Sequence, residues 1–338
     1  MSVNVVFPRF IQLFFSFTRR ERKAFALFLA SPYHNRREDA QVLVDQLLTC
    51  AEPSVVPEKE ALWSLVYPGK DFADQSWRLL LSYLSRSAER FLAVESLLAD
   101  EYEVKMKVAA TLERRSNHQL HEKLLRESGR LLEKETVRNA EYWLRAYRHQ
   151  EAYYRQAFMR RPEKDDHFAQ LSHSADRAFM AMKLRQNMWL LNHEQVYHWG
   201  FKPTALDRFV SELPPAAIEP IPALQLYHRG IMVLQHPQDE EVFQRFTESL
   251  FTQAASLPRS EARDLYLLAI NFGVRQVNSG RRAYFKQVME LYQNGLEQAY
   301  LLRNGILSRF TYHNIVSTAL QMQDIAYAEA FIEQWTEK

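Results

Sequence analysis

The chain has 338 residues, 47% of them apolar, and 43 basic against 41 acidic side chains leave a net charge of +2. That composition excludes a disordered chain, and the charge balance gives no field strong enough by itself to imply nucleic acid or an anionic membrane. A single cysteine, Cys50, excludes a disulfide framework and a cysteine-based zinc site; it fits a reducing compartment, so the cytoplasm is the expected location. With 8 glycines and 13 prolines, punctuation is sparse, so elements should be long, and long elements at this composition are helices.

The apolar start, Val3 to Phe17, is interrupted by Pro8 and Arg9 and has no basic segment before it, so it reads as a core helix rather than a signal peptide. No other run approaches the ~18 apolar residues of a membrane span. Thr18-Arg-Arg-Glu21 fits a capping box, in which the threonine and the glutamate three residues later satisfy each other's free amides. It predicts a helix from Arg19 to about Ala30, stopped by Ser31-Pro32. Further helices are predicted at Asp39 to Cys50, at Glu58 to Val66 and from Asp74 to about Leu98, where Leu80, Leu81, Leu84, Ala88, Phe91 and Leu92 keep helical spacing. Residues 1–100 thus read as an N-terminal helical domain.

Residues 101–165 are highly charged yet periodic and predict two or three long connecting helices, with breaks at Ser116-Asn117 and Thr136. Trp143, Tyr147, Tyr154 and Phe158 fall on one helix face, a pattern read as core rather than as a stacking surface. Arg161 to Asp166 is a polar connection. A helix from His167 to about Leu191 follows, and the proline-rich segment Leu213 to Pro222 should be extended.

From there a step of 43 residues organises the chain. Gly230, Gly273 and Val316 correspond, as do Val242, Phe285 and Ala328, and Phe246, Met289 and Ile332. Gly273 is expected where a neighbouring helix presses close, and Gly280 where its own helix stops. This predicts three helical hairpins at about 222–257, 259–302 and 305–337, inside a repeat region of residues 166–338. Self-similarity at such a period is the mark of a solenoid, in which no unit buries its apolar face alone.

The last unit carries Tyr312, Ile315, Val316 and Ala319, then Gln323-Asp-Ile325, then Ala328, Ile332 and Trp335. That order resembles the tetratricopeptide repeat, although Val316 and Gln323 stand where its glycines would be and 43 exceeds its usual 34 residues. Over most of the chain, Phe28-Leu-Ala-Ser-Pro-Tyr-His-Asn35, Lys183-Leu-Arg185, Asn271-Phe-Gly-Val-Arg275 with Asn278, and Tyr312-His-Asn-Ile315 with Phe331-Ile332 are similar to a Bacteroidota family of TPR-like helical-repeat proteins. The resemblance implies an all-α fold, a TPR-like α-α superhelix with an N-terminal helical domain, and no activity to transfer. The family pattern continues beyond Lys338, so a truncation or a missing cap is expected there.

Chemistry is sparse. His118 and His121 share a helix face with Glu122, but His-Gln-Leu-His-Glu matches no metalloprotease order and no third ligand is fixed, so they read as solvated surface histidines. Cys50 reads as a buried structural thiol. No glycine-rich phosphate loop is present, no cofactor is expected, and no catalytic set is spaced for an enzyme. Arginine pairs at Arg19-Arg20, Arg114-Arg115, Arg160-Arg161 and Arg281-Arg282 offer the alternative of a nucleic-acid track, though most are interleaved with acids.

The remaining set is Asn271, Arg275 and Asn278, spaced i, i+4, i+7 on one helix; the 43-residue step maps Asn271 onto Asn314 and back onto His228. The asparagines either hydrogen-bond neighbouring helices or, as the tetratricopeptide resemblance implies, face a concave groove. On the second reading His228, Asn271, Arg275, Asn278 and Asn314 form a peptide-binding site in a non-enzymatic scaffold, with Arg275 supplying the charged contact to a protein or peptide partner.

Overall fold

The computed structural model describes residues 8–159, 167–218 and 220–335. The chain is all-α apart from one two-residue hairpin, and it divides into two compact units, Met1–Lys107 and Val108–Lys338.

In the first unit, α1 (Arg9–Ser16), α2 (Arg19–Ala30), α3 (Glu38–Leu48), α4 (Lys59–Val66) and α5 (Asp74–Leu98) surround a phenylalanine core. The capping box forms: the Glu21 amide donates to Thr18 Oγ1 at 3.2 Å and the Thr18 amide to Glu21 Oε2 at 2.7 Å. Such a cap is worth about 1 kcal/mol. The apolar stripes of α1, α2 and α5 bring Phe17 and Phe25 to 5.7 and 5.5 Å from the Phe91 ring. Burying each such ring contributes roughly 1.5–3 kcal/mol. Arg22 donates to the carbonyls of Phe15, Phe17 and Ala51, closing the end of α1.

The segment Phe28 to Asn35 has a structural task. Buried Asn35 donates to the carbonyls of Leu29 and Arg37, both at 2.9 Å, and accepts from the Tyr83 hydroxyl at 2.7 Å, while His34 stacks on Phe28. Cys50 lies just past α3 and is partly exposed rather than buried, because the helix ends at Leu48 and leaves the thiol at its rim.

Helix α6 (Glu101–Arg114) runs across the unit boundary. The second unit continues with α7 (His118–Lys134), α8 (Ala140–Met159), α9 (His167–Tyr197), α10 (Ala205–Ser211), α11 (Pro215–Ile218), α12 (Pro222–Gln235), α13 (Glu240–Gln253), α14 (Arg259–Asn278), α15 (Tyr284–Glu297), α16 (Arg309–Gln321) and α17 (Ile325–Trp335). Left-handed Ser116 and the Asn117 cap make the first expected break; the second falls at residues 135–139. Helices α7 and α8, expected as a connecting segment, pack into this unit, α8 against both α7 and α9. The segment 213–222 is not extended throughout: Pro215–Ile218 closes one helical turn, and Pro222 opens α12, because proline fits the first turn of a helix. Arg161 to Asp166 and Phe158's side chain lie outside the described residues; of the expected aromatic face, Trp143 is buried, Tyr147 is half-buried, and Tyr154 meets Phe168 of α9 edge-on at 4.9 Å.

From α12 onward each helix packs on its sequence neighbours. The backbone of α14 passes so close to α15 that a Cβ on Gly273 would lie 2.4 Å from Val288 Cγ2; at Gly230 the nearest atom would be Met188 Sδ of α9, at 3.0 Å. Gly280, with φ +90°, ends α14: its amide donates to Val277 and that of Arg281 to Gln276, the paired bonds of a Schellman turn. Forty-three residues on, Gln323 adopts φ +61° and repeats both bonds, to Leu320 and from Asp324 to Ala319. The backbone thus keeps the step where the residue type does not. On the second helices, Phe285 is only half-buried; Tyr284, one residue earlier, fills the core with Phe243 at 5.2 Å. At the third set of register positions, Phe246 and Met289 are buried but Ile332 is exposed, since no further helix follows α17 among the described residues.

Between α15 and α16, β1 (Leu302–Arg303) pairs antiparallel with β2 (Ile306–Leu307). Asn304 and Gly305, with φ +54° and +80°, form the two-residue turn that suits such a hairpin.

Candidate functional site

Helices α9, α12 and α14 lie side by side and run in one direction. At one end, Glu261 of α14 accepts from Arg185 of α9 at 2.9 Å and from the Tyr227 hydroxyl of α12 at 2.5 Å. At the other, Gln195 of α9 donates to the Leu234 carbonyl of α12 at 2.8 Å and accepts from Arg275 of α14 at 2.5 Å. Glu261 also accepts from Asn139, which caps α8 through the Tyr142 amide, so one carboxylate joins four helices. Burial and this carboxylate hold the Tyr227 phenol far above its ordinary range. Lys183 holds a second buried carboxylate, Asp207, at 2.6 Å; burial raises its pKa, but Lys183 and Thr204 overcome that and leave it below its ordinary value. Lys183 and Arg185, quoted above for the family resemblance, are thus both structural ion-pair partners.

Both α9 and α14 pack on α12, and a groove of about 630 Å³ remains between them. Met188, Trp189, Asn192 and His193 line it from α9; Asp264, Leu267, Leu268 and Asn271 line it from α14. The residue spacing explains the two walls. Arg185, Trp189, His193 and Tyr197 recur every four residues, so they share one face of α9. Left-handed His198 then turns the chain so that Trp199 stacks on Tyr197 at 4.9 Å, and Glu194 fixes that turn by accepting from the Gly200 and Phe201 amides. Trp189 and Trp199 are 39% and 73% exposed, so this aromatic row faces solvent rather than a core.

The five predicted residues fall into three surroundings. Asn271 is exposed and lines the groove, and Arg275 closes the groove's end one turn further on. Burial depresses the Arg275 pKa, and no carboxylate ion pair involves it among the described residues. Asn278 and Asn314 line a different, smaller cleft of about 200 Å³ between α14, α15 and α16. There the Tyr292 phenol, buried beside Asn314, is pushed up to about 12 by desolvation, partly offset by the amide. His228 is half-buried with its ring nitrogen 2.9 Å from the Ser211 carbonyl of α10; burial lowers its pKa against that bond. The structure therefore brings Asn271 and Arg275 together and separates them from the other three.

The remaining histidine expectation needs correction. His118 is exposed, but His121 is 2% exposed: it sits on the inner face of α7, and burial lowers its pKa. Among the described residues no group of three His, Cys, Asp or Glu side chains gathers as metal ligands. Of the arginine pairs, Arg19-Arg20 opens α2, Arg114 bonds Thr111, and Arg281 donates to the Pro237 carbonyl, while Arg160-Arg161 lies outside the described residues.

Sequence reasoning missed Asp264, Trp189 and His193. The signal for the last two was present, since the four-residue step of α9 continues past Leu191. Asp264 carries none: it is one of two acids at the start of α14, the other being Glu261. No helix among the described residues is long and apolar enough to cross a membrane. No family model, no curated protein and no solved structure matches the chain.

Proposed function

We propose that residues 166–338 are a TPR-like helical-repeat array and that the protein is a non-enzymatic scaffold holding a peptide or protein segment in the groove between α9 and α14. The observation that carries this reading is the parallel run of α9, α12 and α14, which leaves an apolar groove edged by polar groups between α9 and α14. The close approach at Gly273 and the shared turn geometry of Gly280 and Gln323 support a repeating unit. Within the groove Asn271 supplies an amide to a passing backbone, and one turn further on Arg275 supplies a guanidinium with no acidic partner among the described residues.

Affinity capture from the native cell, comparing the full chain with its Asn271→Ala/Arg275→Ala variant, tests the reading. At least one partner captured by the parent chain is expected to be lost from the variant. An unchanged set of partners refutes the groove as the binding site.

A further inference from the structure

The two ends of the groove carry opposite charges, neither of which has an ion-pair partner among the described residues. At one end stands the Asp264 carboxylate, which keeps much of its surface in solvent. Burial within the groove, reinforced by Glu261 and opposed by Arg263, raises its pKa. At the other end stands Arg275, a half-buried guanidinium whose hydrogen bond goes to the neutral Gln195 amide. Of the other charges in this unit, Arg185 has Glu261 and Lys183 has Asp207, while Arg229 and Arg281 donate to backbone carbonyls. A charge taken partly out of water without a counter-charge is costly, so Arg275 favours an occupant that supplies a carboxylate, and exposed Asp264 offers the opposite charge to a cation on the same occupant.

The walls agree with a cation at the Asp264 end. Trp189 lines the groove there; the Arg185 guanidinium packs on its ring at 5.0 Å, and the ring's remaining exposed surface faces the groove. His193 extends the aromatic surface toward Tyr197 and Trp199, with ring planes 18° and 10° from its own. Asp264 and Arg275 are eleven positions apart on one helix. At a rise of about 1.5 Å per residue that is about 16 Å, the span of about five residues of extended chain.

Resting on the groove reading above, we propose that the occupant is a bipolar extended peptide, with a lysine or arginine side chain at Asp264 and a carboxylate about five residues away at Arg275. The apolar stretch between them lies on Leu267, Leu268 and Met188, with its backbone within reach of Asn271. A second copy of this chain is not required, and a polyanion fits only the Arg275 end.

The test uses the full chain and a synthetic library of end-blocked nonapeptides of random sequence. Peptides retained by the parent protein are expected to be enriched in Lys or Arg at one position and Asp or Glu four to six positions away. Asp264→Asn should abolish the basic preference and lower affinity for the selected peptides about tenfold, the loss of one charge pair of ordinary strength. Arg275→Gln should abolish the acidic preference instead. Asp264→Lys should replace the basic preference by an acidic one, a gain that misfolding does not produce. Retained peptides that show no charge pattern, or a basic preference unaffected by Asp264→Asn, overturn the bipolar occupant while leaving the groove itself in use, provided Asn271→Ala weakens them. If the folded parent retains no peptide, both readings fall.

Discussion

Gly273→Ala isolates the close approach of α14 to α15. The new methyl would lie 2.4 Å from Val288 Cγ2, well inside contact distance, and Phe243 Cζ waits at 3.4 Å on another side. Val288 is β-branched, so its χ1 is stiff in a helix and its methyl does not swing aside. Overpacking of this kind costs about 1–3 kcal/mol, while replacing a helical glycine by alanine returns about 1 kcal/mol of propensity. The net expectation is a destabilisation of up to about 2 kcal/mol. Gly230→Ala makes the contrast: the nearest atom is the flexible Met188 thioether at 3.0 Å, which can yield, so propensity prevails and stability stays level or rises by up to about 1 kcal/mol. Urea unfolding of the full chain, followed by far-UV circular dichroism at constant m, reads both midpoints. In a Val288→Ala background the Gly273→Ala substitution should turn from destabilising to stabilising, a coupling of about 1–3 kcal/mol. A Gly273→Ala protein that is more stable than the parent with Val288 intact refutes the packing argument.

Other perturbations follow from the same contacts. Gln323→Gly should stabilise the chain by about 1 kcal/mol, because Gln323 carries a Cβ in the left-handed region, whereas Gly280→Ala at φ +90° should cost about 1–2 kcal/mol; thermal or urea midpoints report both signs. Glu261→Ala leaves Arg185 without its counter-charge and frees Tyr227 and Asn139, so a loss of about 3 kcal/mol is expected; urea midpoints compared with those of an exposed-site control such as Glu329→Ala check it. Asp207 has a pKa below its ordinary value, so its contribution is complete above the unfolded-state value of about 3.9 and disappears as pH falls through the lower folded value. Lys183→Met removes the main favourable partner and should flatten that acid-side loss, read from urea midpoints between about pH 3 and 7.

Local signals were legible and distant ones were not. The Thr18–Glu21 cap, the span of α5 and the stop at Gly280 depend on residues within a few positions of each other, and the sequence states them outright. The Asn304-Gly305 turn is equally local; between Leu302-Arg303 and Ile306-Leu307 it is a hairpin signal that helical periodicity does not reveal. The single turn at Pro215–Ile218 is the opposite case: proline density suggests extension, yet proline is at home in a first turn. Glu261 is different in kind. Its partners come from residues 139, 185 and 227, and nothing near it in the chain announces that convergence. For the same reason the division of the five polar residues was hidden: a 43-residue step gives equivalent places on successive helices, but whether a neighbour such as Ser211 takes up His228 depends on the packing of α10.

The unequal bridges across the groove have a mechanical consequence. Where Arg185 meets Glu261, α9 and α14 are joined through a carboxylate that also grips α8 and α12, so separating them there breaks several charge-assisted bonds at once. Where Arg275 meets Gln195, the bond goes to a neutral amide, and water or an incoming carboxylate replaces it at little cost. The two ends of the groove are therefore tied unequally, so removing the Glu261 carboxylate should loosen α9 against α14 more than removing the Gln195 amide does.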